Sequence, residues 1–245
     1  MKRKFVDLNL QLPIHDLDKT RKMLEKAHEL GYDLVAANLS PDTDDGTITY
    51  IKKLCASVGI DFATRVELIP KTRHELLGHL RRLRRKFEVV SVTCVSKVVA
   101  RQAAKDRRVD LLFFPRLDSR KRFFDSQEAE LASNALASLE IRIKPLLLSN
   151  GVQRTRLLSY LRKEAVVALN YGVPIVISSE ASETWHMRKP RELAVLATLF
   201  DLDFPTGLDA VSKFPLSTVK RNREKLKSNF IAPGIRLVKR GKNCH

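Results

Sequence analysis

Short apolar runs alternate with longer amphipathic segments along most of the chain. The apolar runs begin near residues 4, 33, 61, 88, 109, 139 and 173. Most starts are about 28 residues apart, the length of one strand–helix unit with short loops. The runs Glu88–Val92 and Val109–Phe114 are nearly continuously apolar, which is typical of parallel strands covered on both faces. The pattern therefore predicts seven parallel strands alternating with helices.

The segments between the runs carry helical periodicity and helix-end signals. Thr72 and Glu75 have the spacing of a capping box, and leucines then recur on one helical face at positions 76, 77, 80 and 83. Gly31, Gly59 and Gly172 each follow a helical pattern and directly precede a predicted strand. Glycine tolerates the left-handed backbone conformation that ends a helix, so these positions predict short helix-to-strand junctions.

Seven strands that alternate with helices favour an α/β fold, a TIM-like β/α barrel with a basic helical C-terminal extension. We assign residues 1–210 to the barrel and residues 211–245 to the extension, in which Leu216, Val219 and Leu226 are expected to pack a helix onto the barrel. A doubly wound open sheet stays an alternative, because no Gly-x-Gly-x-x-Gly turn follows the first strand to argue for either.

The formal charge of the chain is +17, from 45 lysines and arginines against 28 acidic residues. Such an excess indicates a polyanionic partner. Nucleic acid is the leading candidate. A membrane surface is the lesser candidate, because no basic amphipathic anchor stands out. A membrane span is disfavoured, because the most apolar stretch, residues 165–177, is interrupted by Asn170, Gly172 and Pro174. The three cysteines are far apart and predict reduced thiols in a cytoplasmic protein.

Polar side chains follow the first and last predicted strands, where a β/α barrel keeps its catalytic groups. Barrels of the polymerase and histidinol phosphatase (PHP) type typically have His-x-His after the first strand and Asp-x-His after a late one. This chain has Asn9 and Gln11 at the first position and Glu180 and Ser182 at the second. Amides and hydroxyls are weak neutral ligands. We therefore expect no metal and no catalytic residue in this chain.

Four stretches resemble the archaeal ribonuclease P protein component 3 family, which is related to the thirty-kilodalton subunit of the nuclear enzyme. They are Phe5–Leu10, Gly31–Asn38, Val176–Ala181 and Arg188–Leu196. The likeness extends to about Leu208, and its most specific part is the serine pair after the last strand followed by an Arg-x-Pro element. The family is distantly similar to the metal-dependent barrels but lacks their ligands.

The resemblance implies a role in removing the 5′ leader of precursor tRNA. In that ribonucleoprotein the RNA performs the Mg²⁺-dependent hydrolysis, so the Mg²⁺ requirement belongs to the complex and no cofactor is expected on this chain. The implied partners are the ribonuclease P RNA, precursor tRNA within the complex, a small RRM-like subunit and other ribonuclease P proteins. The chain is expected to stabilise the active RNA fold and to lower its demand for Mg²⁺.

Charge and position select the residues expected to contact RNA. They follow predicted strands or occupy the basic extension, where each phosphate they neutralise releases counterions. The predicted residues are Arg116, Arg120, Lys121, Arg122, Arg188, Lys189, Arg191, Lys220, Arg221, Arg223, Lys225 and Lys227.

Two other functions remain open at this stage. A metal-dependent phosphoesterase of the PHP type would use Asp7, His15, Glu180 and His186, which are the acids and histidines nearest the relevant strand ends. A basic scaffold that binds only protein partners is the other alternative.

Overall fold

A computed structural model describes residues 3–115, 124–232 and 234–237. Its main sheet contains seven parallel strands in sequential order. The strands are β1 (Val6–Leu10), β2 (Leu34–Asn38), β3 (Asp61–Leu68), β4 (Val89–Thr93), β5 (Leu111–Phe113), β6 (Ser138–Arg142) and β7 (Ile175–Ser178). Each begins within two residues of its predicted start.

The sheet curls until its first and last strands meet. Leu10 and Ala181 form a parallel bridge, and the backbone N–H of Gln11 donates to the carbonyl of Ala181 at 2.9 Å. Sequential strand order combined with this contact makes a nearly closed barrel, so the barrel prediction is confirmed and the open doubly wound sheet was the wrong alternative.

Helices connect and surround the strands. They are α1 (Leu17–Leu30), α2 (Asp45–Val58), α3 (Arg73–Leu83), α4 (Lys97–Lys105), α5 (Ser126–Ala135), α6 (Lys144–Leu148), α7 (Gly151–Asn170), α8 (Pro190–Leu196), α9 (Phe204–Ala210) and α10 (Lys213–Leu226). A two-stranded antiparallel hairpin follows, formed by β8 (Phe230–Ala232) and β9 (Ile235–Arg236). None of the helices in the described part of the chain combines the length and apolar character needed to span a membrane.

The predicted helix-end signals are largely confirmed. Gly31 and Gly59 end α1 and α2 with φ of +89° and +85°, in the left-handed region. The Thr72 hydroxyl accepts from the N–H of Glu75 at 3.2 Å at the start of α3. The Glu75 carboxylate, however, accepts from the N–H of Lys71 rather than that of Thr72, so the expected capping box is only half formed.

The interior of the barrel has an apolar half and a polar half. Near the amino ends of the strands the inward side chains are aliphatic: Val6, Leu8, Leu34, Ala36, Ala63, Val89, Leu111 and Val176. Val219 of α10 is fully buried in the same cluster, with Phe214 and Leu216 packed against it. Helix α10 therefore closes the amino-terminal end of the barrel.

The basic extension begins with this closing helix. The N–H of Val6 in β1 donates to the carbonyl of Val211 at 2.9 Å, which attaches the start of the extension to the first strand. The helix expected from Leu216, Val219 and Leu226 is present, and the first two of these side chains contact the barrel core. The boundary at residue 210 stays a prediction, but α10 completes the core of the barrel.

Candidate nucleic-acid interface and barrel interior

Two strands place charged side chains inside the polar half of the barrel. In β3, Arg65 and Glu67 are two residues apart, and in β6 the same holds for Glu140 and Arg142. Alternate residues of a strand point to the same face, so both charges of each strand face inward. The buried centre of the barrel thus holds charges of both signs at the end where PHP-type enzymes bind their metals.

Arg65 and Glu140 form a completely buried ion pair. The two Nη atoms of Arg65 donate to the two carboxylate oxygens of Glu140 at 2.5 and 2.8 Å, and both side chains are 0% exposed. Arg65 also donates to the carbonyl of Leu8 at 2.9 Å. Ser178 and Ser91 donate their hydroxyls to the same carboxylate at 2.8 and 3.3 Å. Each oxygen of Glu140 is therefore saturated with donors.

Arg142 occupies the mouth of this centre. Its guanidinium contacts three carboxylates, at 2.8 Å to Glu67, 2.9 Å to Glu180 and 3.1 Å to Glu140. The guanidinium carbon lies 3.6 Å from the ring centroid of Phe113, in cation–π geometry. The Arg142 side chain is 4% exposed and is therefore almost completely enclosed by these partners.

The pKa values show which carboxylates this arrangement stabilises. Burial opposes ionisation of Glu140, but Arg65 and Arg142 outweigh it and hold the pKa of Glu140 well below its usual range. For Glu180 burial prevails over the attraction of Arg142 and raises the pKa. The interior glutamates are thus partners of guanidinium groups, and Glu140 is held firmly in its ionised form.

The four residues of the hypothetical PHP-type site each have different contacts. Asp7 is buried beside β7 and accepts from the N–H of Asn9 and of Ser179, while burial raises its pKa. His15 lines a separate cleft with residues of α2. Glu180 contacts Arg142, and His186 stacks on Trp185. Within the described ranges no three histidine, cysteine or acidic residues form a group able to hold a metal ion.

Sequence reasoning missed the charged centre. It considered strand-end residues and did not single out Arg65, Glu67, Glu140 or Arg142. The available signal was charge alternation within two predicted strands, Arg-Val-Glu and Glu-Ile-Arg. Charges on a strand whose neighbours are buried indicate an interior ion pair, because an unpaired charge is seldom buried.

The cations of α10 divide into paired and unpaired groups. Arg223 contacts both carboxylate oxygens of Asp61, at 2.6 and 3.0 Å, and Glu88 at 3.2 Å. Arg221 contacts the buried carboxylate of Asp110 at 3.1 Å. Lys220 and Lys225 are exposed and form no hydrogen bond or ion pair within the described residues.

Lys227, the last of the predicted cations in this region, pairs with Glu224 at 2.5 Å at the surface. The prediction of RNA contact remains open for all five cations of residues 220–227. Arg221 and Arg223, however, already bind carboxylates of the barrel.

Arg188, Lys189 and Arg191 lie away from the strand end at which the sequence suggested them. After β7 the chain runs along α1, with Trp185 beside Lys22 and Glu25. The Tyr32 hydroxyl then donates to the Arg188 carbonyl at 2.9 Å. Lys189 and Arg191 line a cavity with residues at or just before the starts of β1, β2 and β3, namely Lys4, Asp33 and Asp61. They therefore lie at the same end of the barrel as α10.

Arg116, Arg120, Lys121 and Arg122 lie outside the described residues. The adjacent Phe124 is buried and packs on Phe114, with ring centroids 5.4 Å apart. Phe124 therefore belongs to the hydrophobic core.

The barrel places the chain among proteins with a parallel β/α barrel. It superposes on a putative prolidase from Bifidobacterium longum with a TM-score of 0.59 and 12% identity, over 91% of this chain and 70% of that one. That degree of likeness shows a shared fold only.

The family follows from a more specific match. The model of the family described as RNase P subunit p30 matches residues 4–227, so the chain belongs to that family. A ribonuclease P protein component 3 from Methanosarcina mazei is 32% identical over 180 residues, 74% of each chain. Its counterpart from Methanococcoides burtonii is 25% identical and covers 96% of this chain and 94% of its own.

A solved structure agrees with the family match. A chain in a cryo-EM structure of archaeal ribonuclease P with mature tRNA shares the fold with a TM-score of 0.84 and 19% identity. The match covers 97% of this chain and 100% of that one. The family resemblance noted from the sequence is confirmed.

Proposed function

We propose that this chain is a non-catalytic, RNA-binding protein subunit of ribonuclease P, which removes the 5′ leader from precursor tRNA with catalysis by the RNA. Family membership over residues 4–227 supports the complex. The observation that carries the non-catalytic role is the interior of the barrel, where Arg65 and Arg142 form ion pairs with the glutamates. Guanidinium groups cannot activate a water molecule as a metal ion does.

The partners and conditions follow from that role. The chain is expected to bind the ribonuclease P RNA, to meet precursor tRNA within the complex, and to join a small RRM-like subunit and other ribonuclease P proteins in the cytoplasm. Mg²⁺ serves the RNA in this scheme. Surface cations screen phosphate repulsion and so reduce the concentration of Mg²⁺ that RNA folding requires.

Reconstitution tests the proposal directly. The RNA and companion proteins are assembled with and without this chain, and precursor-tRNA cleavage is measured across a Mg²⁺ titration. We expect omission of the chain to raise the Mg²⁺ needed for half-maximal cleavage. An identical Mg²⁺ requirement in both assemblies contradicts the proposal.

Two controls separate the alternatives. Purified protein is assayed for bound metal and for hydrolysis of a generic phosphodiester with Mn²⁺, and we expect neither stoichiometric metal nor turnover. Turnover abolished by Glu180→Gln would establish the phosphoesterase instead. Association with companion proteins that persists unchanged after the RNA is digested, with no RNA binding by the chain, would favour the protein-only scaffold.

The fluorescence of Trp185 can be used to test the predicted RNA contacts at Arg188, Lys189 and Arg191. Trp185 is the single tryptophan, is 67% exposed, and its carbonyl accepts from Arg188 at 2.8 Å. RNA bound at this segment should change the tryptophan fluorescence, and the change should shrink in Lys189→Gln/Arg191→Gln. Unchanged fluorescence at saturating RNA would remove this segment from the interface.

A further inference from the structure

A basic groove of about 520 Å³ lies at the amino-terminal end of the barrel. Its walls come from the end of α3, the turn between α4 and β5, and the end of α10 with the following hairpin. No carboxylate is among its described lining residues. The lining residues are Arg84, Arg85, Arg107, Arg108, Lys225, Leu226, Lys227, Ser228, Phe230 and Ile231.

Two carboxylates, the buried Asp110 and the partly buried Asp106, pair with arginines that line the groove. Asp110 is 1% exposed and binds Arg84 at 2.5 Å, and it also ties α10 to the barrel through Arg221 and Asn222. Asp106 binds Arg108 at 2.7 Å. The groove is therefore assembled from three chain segments that are distant in sequence.

Arg85, Arg107 and Lys225 form the outer part of the groove and are not held in this way. All three are exposed, and none forms a hydrogen bond or ion pair within the described ranges. Basic residues at a helix end also complement the helix dipole, which accounts for Arg85 or Lys225 taken singly. It does not account for the meeting of three free cations from separate segments, since like charges repel one another.

The electrostatic state of Lys225 agrees with this crowding. Partial desolvation lowers the pKa of the exposed Lys225, and the nearby guanidinium groups of Arg221, Arg84 and Arg107 lower it further, against the opposing attraction of Asp110. A bound anion would relieve this repulsion.

We propose that this groove binds the phosphodiester backbone of RNA through Arg85, Arg107 and Lys225. The inference rests on the proposed RNA-binding function and adds two arginines that the sequence did not select. Arginine presents a planar fork that matches phosphate oxygens, and three cations about one groove fit a backbone that carries one phosphate per nucleotide. Phe230 and Ser228 at the same groove supply a ring face and a hydroxyl next to those charges.

The test uses the full chain and the ribonuclease P RNA, with binding measured over a series of salt concentrations. The groove variant is Arg85→Gln/Arg107→Gln/Lys225→Gln. The control variant, Arg73→Gln/Arg156→Gln/Lys163→Gln, removes the same charge from three other exposed residues without partners in the described structure.

The groove variant should lose up to about 2–3 units of the slope of log K against log salt, because each phosphate contact contributes roughly 0.7–0.9. Its affinity at 0.1 M salt should then fall by roughly 100-fold or more. The control variant should keep the slope of the wild type. Equal slopes for the groove and control variants would overturn the proposal.

Lysine labelling gives a second readout that needs no variant. The lowered pKa of Lys225 makes its amine more reactive near neutral pH, so an amine-reactive reagent should label it readily in the free protein. RNA should protect Lys225 but not Lys163 on α7. Labelling of Lys225 that RNA leaves unchanged also overturns the proposal, whatever the stability of the triple variant.

Failure of the groove and failure of the proposed function give different results. If wild-type protein lacks salt-sensitive RNA binding, the proposed function itself fails. If wild-type protein binds RNA and only the binding of a companion protein depends on Arg85, Arg107 and Lys225, the RNA-binding role is kept and the groove is reassigned to a protein partner.

Discussion

At the carboxyl ends of the strands, Arg65 and Arg142 are enclosed by glutamates, whereas at the amino-terminal end Arg85, Arg107 and Lys225 face solvent without a partner among the described residues. Both regions contain basic side chains, but those in the interior are paired with carboxylates and those at the surface are not paired within the described residues. Inside, the two guanidinium groups are paired with the carboxylates of Glu67, Glu140 and Glu180. Outside, the cations stay available to an anion. The net charge of +17 therefore reports the excess of cations but not which of them can bind RNA.

The largest expected effect comes from breaking the interior pair. Glu140→Leu leaves Arg65 buried without a carboxylate and should lower the free energy of unfolding by about 3–5 kcal/mol. Denaturant unfolding measures this change. The double variant Glu140→Leu/Arg65→Met removes both charges and should recover a large part of the loss, because apolar pairs can replace buried ion pairs.

Recovery is the decisive result. A double variant as unstable as Glu140→Leu alone would mean that the cavity or the serine contacts, rather than the orphaned charge, determine the loss.

The next largest effect is expected at low pH, where protonation of Glu140 should lower the free energy of unfolding. The pKa of Glu140 lies below its unfolded value of about 4.3, so its stabilisation is complete above that pH and declines as pH falls toward the folded value. In unfolding curves from pH 5 to 2.5, wild type should lose up to about 1.4 kcal/mol per pH unit relative to the double variant. A constant difference between the two proteins across this range would contradict the assignment.

Paired and unpaired cations of α10 should differ in how much they contribute to the free energy of unfolding. Arg223→Ala removes contacts with Asp61 and Glu88 and should cost about 1–2 kcal/mol of unfolding free energy. Lys220→Ala changes an exposed residue that has no partner in the described part of the chain, and it should stay within about 0.5 kcal/mol of wild type. Thermal unfolding compares the two variants, and equal losses would show that the ion pairs of Arg223 contribute nothing measurable.

Asp7→Asn should have the smallest effect and the opposite sign. Burial raises the pKa of Asp7, so its ionised form costs stability at neutral pH, and that cost disappears as pH falls through the folded pKa. Asparagine keeps an oxygen able to accept from Asn9 and Ser179 but carries no charge. We expect a gain of up to about 1 kcal/mol at pH 7 that shrinks at pH 4. A loss at pH 7 would show that the carboxylate is needed.

Much of the fold was readable from local patterns. Strand starts, the glycine ends of α1 and α2, and the helix around Val219 each depend on side chains near one another in sequence. The positions of Asn9 and Gln11 at the end of β1 were also readable, because they depend only on where that strand ends. The family resemblance rested on such stretches and was confirmed by the match over residues 4–227.

The functional surfaces required the tertiary structure. Arg65 and Glu140 are 75 residues apart, and only closure of the barrel turns two isolated strand charges into a bidentate pair. The groove likewise joins α3, the start of β5 and α10, and the segment after β7 carries Lys189 and Arg191 to the opposite end of the barrel. Sequence alone determined the periodicity, the strand ends and the total charge. The pairing of each charge was decided by the fold, because electrostatic interactions depend on distance and burial rather than on position in the chain.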